Sequence, residues 1–270
     1  MKTRLLTAAA LIPILLVVVL FLPKIVTALI LAAFSALAAY ELLFGTGLVR
    51  HTRMMIWTMV AAFLVPLGCY FELNDAIGLL FVLVYVMVLF GEMMHNHVKV
   101  RFDMVALCFL AGLVIPYLFS ALVRVHILDL GRYLIMLPII LAFIPDSGAY
   151  FVGNYFGAHK LAPVISPKKT VEGAVGGVVT AIAAVLIYAL ILDFGFDLKV
   201  NYGYAILYGF LASLGAVFGD LMFSVIKRQS GIKDYGRLFP GHGGILDRFD
   251  SMIVVAPLTE ALLQLIPMVV

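Results

Sequence analysis

Charge is scarce in this chain. Asp, Glu, Lys and Arg make up only 12% of its 270 residues, roughly half the share found in an ordinary soluble domain, and that shortfall excludes a water-soluble globule. Cysteine is scarcer still. Cys69 and Cys108 stand alone, without the spacing of a metal site or a redox pair, so a disulfide framework and a zinc cluster are excluded. Both lie in apolar stretches and read as packing residues. There is no G-x-x-x-x-G-K-[ST] run and no strand followed by G-x-G-x-x-G, which excludes the common soluble nucleotide-binding loops. Internal repeats, low-complexity linkers and a separate soluble domain are also missing.

Hydrocarbon takes their place. The chain is 64% hydrophobic with a mean hydropathy of +1.16, and a spanning helix needs roughly 20 mainly apolar residues. Candidate spans are 5–22, 25–44, 54–71, 76–90, 104–123, 133–156, 174–192, 204–226 and 252–269. The expected fold class is therefore all-α, a polytopic integral membrane protein of about nine transmembrane helices with a cytoplasmic N-terminus. The fourth span is short, and the first two, joined at Pro23 and Lys24, read either as two spans or as one re-entrant hairpin. With the N-terminus inside, 14 of the 18 lysines and arginines fall in cytoplasmic segments, as short cytoplasmic loops require. Lys24, Arg124, Arg132 and Lys199 remain outside. The first span reads as a retained anchor rather than a cleaved signal. One membrane-embedded domain, 1–270, is expected, with 1–130 as helical scaffold and 131–270 as a catalytic portion carrying loops 157–173 and 227–251. A net charge of +3, held in loops, suits anionic lipid headgroups rather than nucleic acid.

Ionised carboxylates at mid-bilayer cost on the order of 2.5 to 3.5 kcal/mol each, so each is a functional candidate. Four qualify: Glu41, Asp146, Asp220 and Glu260. Glu41 and Glu260 stand among apolar neighbours, where an interhelical hydrogen bond or a protonated acid is the plain reading. Asp146 follows Pro145, whose ring removes a helical hydrogen bond and kinks the span. A polar run follows, with Ser147, Gly148, Asn154 and Gly157, and then Ser166-Pro-Lys-Lys-Thr-Val-Glu172. Two readings stay open there. In one, Pro167 makes a turn and Thr170 caps a helix; in the other, Asp146 faces an active-site cavity while Lys168 and Lys169 bind headgroup or nucleotide phosphates. Asp220, Ser224 and Lys227 share one helix face at i, i+4 and i+7, either as a functional stripe or as a snorkelling lysine paired with Asp220. Gly215 and Gly219 on the same helix allow close backbone approach by a neighbour.

The densest charge lies in residues 224–250, SVIKRQSGIKDYGRLFPGHGGILDRFD. Lys227, Arg228, Lys233, Arg237 and Arg248 can neutralise anions, Asp234, Asp247 and Asp250 can hold cations, and Gly241, Gly243 and Gly244 surround His242. Such a mixture suits a divalent metal carrying phosphates. Asp220 and Asp247 are the expected carboxylates for one or two Mg²⁺ ions, with the two ends of the loop converging on them. His242 is either a turn residue or a phosphate or metal contact, and Asp250 either caps the last helix or is a ligand. His95 and His97 read as solvated loop residues. Residue chemistry stops at metal-assisted phosphoryl transfer on a lipid, with no choice of nucleotide.

Resemblance goes further. Ser224-Val-Ile-Lys-Arg, Lys233-Asp234 and Pro240-Gly-His-Gly-Gly-Ile-Leu-Asp-Arg-Phe-Asp250 closely resemble the signature of the phosphatidate cytidylyltransferases, or CDP-diacylglycerol synthases. Residues 146–157 and 166–172 resemble that family's second region, and the N-terminal half is similar only as a set of apolar spans. The resemblance implies that CTP and phosphatidate yield CDP-diacylglycerol and pyrophosphate with magnesium, Asp220 and Asp247 being the metal pair. The expected catalytic set is Asp220, Asp247, Lys227 and Arg248. Substrate contacts are expected from Asp146, Asn154, Ser166, Lys168, Lys169, Thr170, Glu172, Ser224, Arg228, Lys233, Asp234, His242, Gly243, Gly244 and Asp250. The implied partners are CTP, phosphatidate and the lipids of the cytoplasmic membrane; oligomeric state stays open, with a homodimer as one arrangement. A CTP-dependent polyprenol kinase is the nearest enzymatic alternative. An ion-coupled transporter would also use Asp146 and Asp220, yet needs no dense loop of cations. The D-G-x-x-A-R run of CDP-alcohol phosphatidyltransferases is missing.

Overall fold

The structure, a computed structural model, describes residue 13, residues 15–236, residue 238 and residues 243–269. Most of it is helix, and the protein is an all-α polytopic membrane protein. Among the described residues, seven helices are long and apolar enough to cross a membrane. They are α1 (Lys24–Tyr40, continued by a wide π turn, Glu41–Gly45), α2 (Thr52–Tyr70), α3 (Asp75–His95), α4 (Phe102–Ile127), α5 (Gly131–Phe156), α6 (Val171–Leu190, continued by a π turn, Ile191–Gly195) and α7 (Tyr202–Gln229). Two short helices follow, α8 (Leu246–Phe249) and α9 (Met252–Leu265). Of the expected first span, residues 5–12 and 14 lie outside the described residues, as do Lys2 and Arg4. The expected last one is the shorter α9. The fourth span, short in the sequence reading, reaches 21 residues as α3: the side chain of Asn74 accepts the N–H of Ile77 at 2.9 Å and opens it, and His95 falls in its last turn. The acidic Asp75 in the first turn complements the helix dipole. Residues 157–173, expected as a loop, hold a two-stranded antiparallel hairpin, β1 (Lys160–Ala162) and β2 (Ser166–Thr170).

The chain forms two compact units, Met1–Ile127 with Lys227–Phe249, and Leu128–Ile226 with Asp250–Val270. In the first, α1 packs on α2, and the Tyr85 hydroxyl of α3 donates to the Cys108 carbonyl at 2.9 Å and lies 3.0 Å from Thr58 Oγ1. Cys108 is buried there, as a packing residue should be. Most of α3 is exposed, including Leu79, Leu80, Leu83 and Met87, and such an apolar surface belongs against acyl chains. Phe249 of α8 rests between Phe34 and Phe119, with ring centroids at 5.5 and 5.2 Å.

In the second unit, α5 and α6 form a hairpin whose contacts run in opposite senses along the two helices. A Cβ on Gly173 would meet the Ala149 carbonyl at 2.8 Å, and one on Gly177 would meet the Pro145 carbonyl at 3.1 Å. Small residues let the two backbones touch, the usual means of helix association in lipid. Helix α7 uses the same device against α9: a Cβ on Gly215 would meet Leu258 at 3.2 Å, and one on Gly219 the Asp250 carbonyl at 2.8 Å. The close approach expected of that glycine pair is realised.

Candidate active site

Within the second unit, the hairpin and α7 bring charges together. In a strand, neighbouring side chains point to opposite faces, and Lys168 and Lys169 divide accordingly. Lys168 is exposed, whereas Lys169 Nζ pairs with the Asp220 carboxylate of α7, both side chains staying about a quarter exposed at 25% and 24%. Ser224, one turn on, donates to Asp220 Oδ1 at 3.4 Å. A ligand can therefore reach this pair. Thr170 is the N-cap of α6: its Oγ1 accepts the N–H of Gly173 at 3.1 Å. Glu172 ties the hairpin's entry to the same helix, since its carboxylate accepts the N–H groups of Ala158 at 3.1 Å and His159 at 3.2 Å and lies 2.5 Å from His159 Nδ1. Thr170 and Glu172 thus spend these oxygens on their own backbone. Asp146 and Asn154 are exposed on α5, and Ser166 is half-buried in β2. Asp250 accepts the N–H of Ser251 at 2.9 Å, and α9 starts one residue later without a side-chain cap, so the expected Asp250 cap is not the one formed.

Within the first unit, the signature loop folds around a buried pair. Lys227 Nζ lies 3.0 Å from Asp247 Oδ1 and 5.5 Å from the centroid of the Tyr235 ring. Its partner is therefore Asp247, while Asp220 takes Lys169; the alternative of Lys227 snorkelling to Asp220 gives way because the loop supplies a buried carboxylate. Asp247 Oδ2 accepts two further bonds, from the N–H of Tyr235 at 2.8 Å and of Gly244 at 3.0 Å. Gly243 sits at φ +87°, a left-handed conformation that a Cβ would strain, with Asp247 packed beneath it. Arg228, Lys233, Asp234 and Arg248 are exposed. His242, Arg237 and Gly241 lie outside the described residues.

Glu41, read from the sequence as making an interhelical hydrogen bond or as a protonated acid, is hydrogen-bonded, and its partners are the backbone of the signature loop: Oε1 accepts the N–H of Ile245 at 3.0 Å and Oε2 that of Leu246 at 2.9 Å. Only its cost in an apolar span marked it, because its partners lie 204 and 205 residues away.

Carboxylate and hydroxyl oxygens suit a hard cation such as Mg²⁺. Asp220, its side chain partly exposed, fits that description, with the Ser224 hydroxyl buried next to it. Asp247 is more closed, its side chain only 2% exposed. Among the described residues its Oδ1 is engaged by Lys227 alone, which leaves that oxygen as the one able to turn to a metal. No cluster of three or more potential metal ligands forms among the described residues.

A profile of the cytidylyltransferase family matches residues 2–266. A phosphatidate cytidylyltransferase of Bacillus subtilis is 35% identical over 98% of this chain and 98% of its own length. One of Staphylococcus haemolyticus is 43% identical over 49% of this chain and 50% of its own length, and one of Staphylococcus aureus is 42% identical over the same shares. The matched stretch thus spans about half the length of the two staphylococcal relatives and nearly all of the Bacillus one.

Proposed function

Because the chain belongs to the cytidylyltransferase family, we propose that it is a phosphatidate cytidylyltransferase, converting CTP and phosphatidate to CDP-diacylglycerol and pyrophosphate in the bacterial cytoplasmic membrane. The observation that carries this reading is likeness along the whole chain to a relative of that name, joined to a polytopic helical body whose signature loop exposes Arg228, Lys233 and Arg248. An oxygen of the phosphatidate monoester attacks the α-phosphorus of CTP, the bond from that phosphorus to the bridging oxygen breaks, and pyrophosphate leaves with the electron pair. The attacking oxygen is already anionic at neutral pH and needs no general base, so catalysis rests on alignment and charge neutralisation.

The residues divide that work. Arg228, Lys233 and Arg248 receive the triphosphate from the aqueous side, and the ion-paired Lys227 holds Asp247 in register with the loop. Lys168 and Lys169 on the hairpin receive the lipid phosphate, and Asp146 and Asn154 on α5 supply further substrate contacts. Asp220 and Asp247 are the carboxylates proposed to hold Mg²⁺, which when bound offsets charge on the phosphates and the leaving pyrophosphate. Loops 157–173 and 227–251 face the cytoplasm, where CTP is supplied. Purified protein given phosphatidate, Mg²⁺ and CTP labelled at the α-phosphate should place label in lipid. Label entering lipid from γ-labelled CTP instead would identify a lipid kinase and overturn the reading.

A further inference from the structure

We propose that Glu41, at the end of α1, is a positioning residue for the reaction: it sets the conformation of the signature loop that presents cations to the nucleotide. What the loop does rests on the cytidylyltransferase reading; how Glu41 acts rests on the first unit alone.

Glu41 is only 6% exposed, and burying a carboxylate is costly unless its oxygens are satisfied. Both are, by the consecutive N–H groups of Ile245 and Leu246. Two successive N–H groups each meet one oxygen of the carboxyl group, so the backbone here receives an acidic side chain of the chain itself. The loop is shaped around it from two sides. A Cβ at Gly236 or at Gly244 would overlap the Glu41 carboxylate, and a Cβ at Gly45, at the far end of the same π turn, would overlap the Tyr235 carbonyl. The end of α1 is therefore a template for both limbs of the loop, near 235–236 and near 244–246. Such π turns recur at functional positions. Asp247 joins the same two limbs through the N–H groups of Tyr235 and Gly244 and carries Lys227. A shift of the loop away from Glu41 moves Asp247 and Lys227 with it.

The decisive variant is Glu41→Gln, which keeps the volume but points an amide NH₂ at a backbone N–H. Expected are a kcat lower by roughly 10- to 100-fold, as for misplaced reacting groups, and a KM for phosphatidate within about twofold of the parent. Glu41→Asp, which retains the carboxyl group, recovers part of the rate. Gly244→Ala, which drives a methyl group into the carboxylate from the loop side, gives the same split and serves if Glu41→Gln fails to fold. A second readout needs no turnover. With Cys69 and Cys108 replaced by alanine, a cysteine at the exposed Leu238 should react faster with an aqueous thiol reagent once Glu41 is Gln. An unchanged kcat with unchanged thiol reactivity overturns the proposal. So does an activity loss matched by loss of folded protein, the surviving molecules turning over normally. If the parent protein puts no α-label into lipid, the functional reading fails, while the thiol arm still decides whether Glu41 holds the loop.

Discussion

At the scale of single residues, two aspartates are each held by one lysine, Asp220 by Lys169 and Asp247 by Lys227, and their surroundings set different expectations. Asp220→Asn and Asp247→Asn should each lower turnover on the order of 100-fold or more, since each removes a charge proposed to hold the metal and align phosphates. They should differ in magnesium dependence. Asp220 is partly open, so its variant should need more Mg²⁺ for half-maximal rate. Asp247 also organises the loop, so its variant should remain slow at any Mg²⁺ concentration. Full activity in either variant would remove that residue from the proposed pair. Lys169→Ala should raise the KM for phosphatidate more than that for CTP, because the hairpin is proposed to meet the lipid. Unchanged constants would take Lys169 out of the site.

At the scale of elements, the α5–hairpin–α6 segment depends on one cap and a run of small residues. Thr170→Val removes the hydroxyl that accepts the Gly173 N–H and should cost about 1 kcal/mol, the usual worth of an N-cap, while Thr170→Ser should cost little. Gly173→Ala places a methyl group against the Ala149 carbonyl and the Gly153 Cα, and overpacking of this kind should cost about 1–3 kcal/mol. Thermal unfolding in detergent would measure both. A Gly173→Ala protein as stable as its parent would mean that α5 and α6 are not in backbone contact. The hairpin also explains why adjacent lysines behave differently, since strand alternation sends Lys169 to Asp220 and leaves Lys168 exposed.

At the scale of the whole molecule, the membrane body and its loops imply an orientation that the basic residues set. A single cysteine at Ser230 should resist an impermeant thiol reagent in intact cells, and one at the exposed Lys199 should react. Labelling at position 230 with protection at 199 would invert the topology and move the proposed CTP site to the wrong side. In each unit one aspartate takes its lysine from within that unit, Asp247 from Lys227 in the first and Asp220 from Lys169 in the second. The first builds its loop on α1, and the second ties its hairpin to α6 and α7.

Composition alone determined that this chain lives in a membrane, because a chain with so few charges and so many apolar runs of bilayer length has no soluble solution. The order of residues also marked the charged loop, the Thr170 cap and the Gly215–Gly219 approach, each a short-range pattern with a local physical cause. Partnership was decided only by tertiary structure. Asp220 and Lys227 are near in sequence yet take lysine and aspartate partners from distant segments. Glu41 finds its two donors more than 200 residues away, and a lone acid in an apolar span carries no mark of which backbone N–H groups will satisfy it. Helical periodicity encodes which face a side chain occupies; what stands opposite that face depends on how the helices pack.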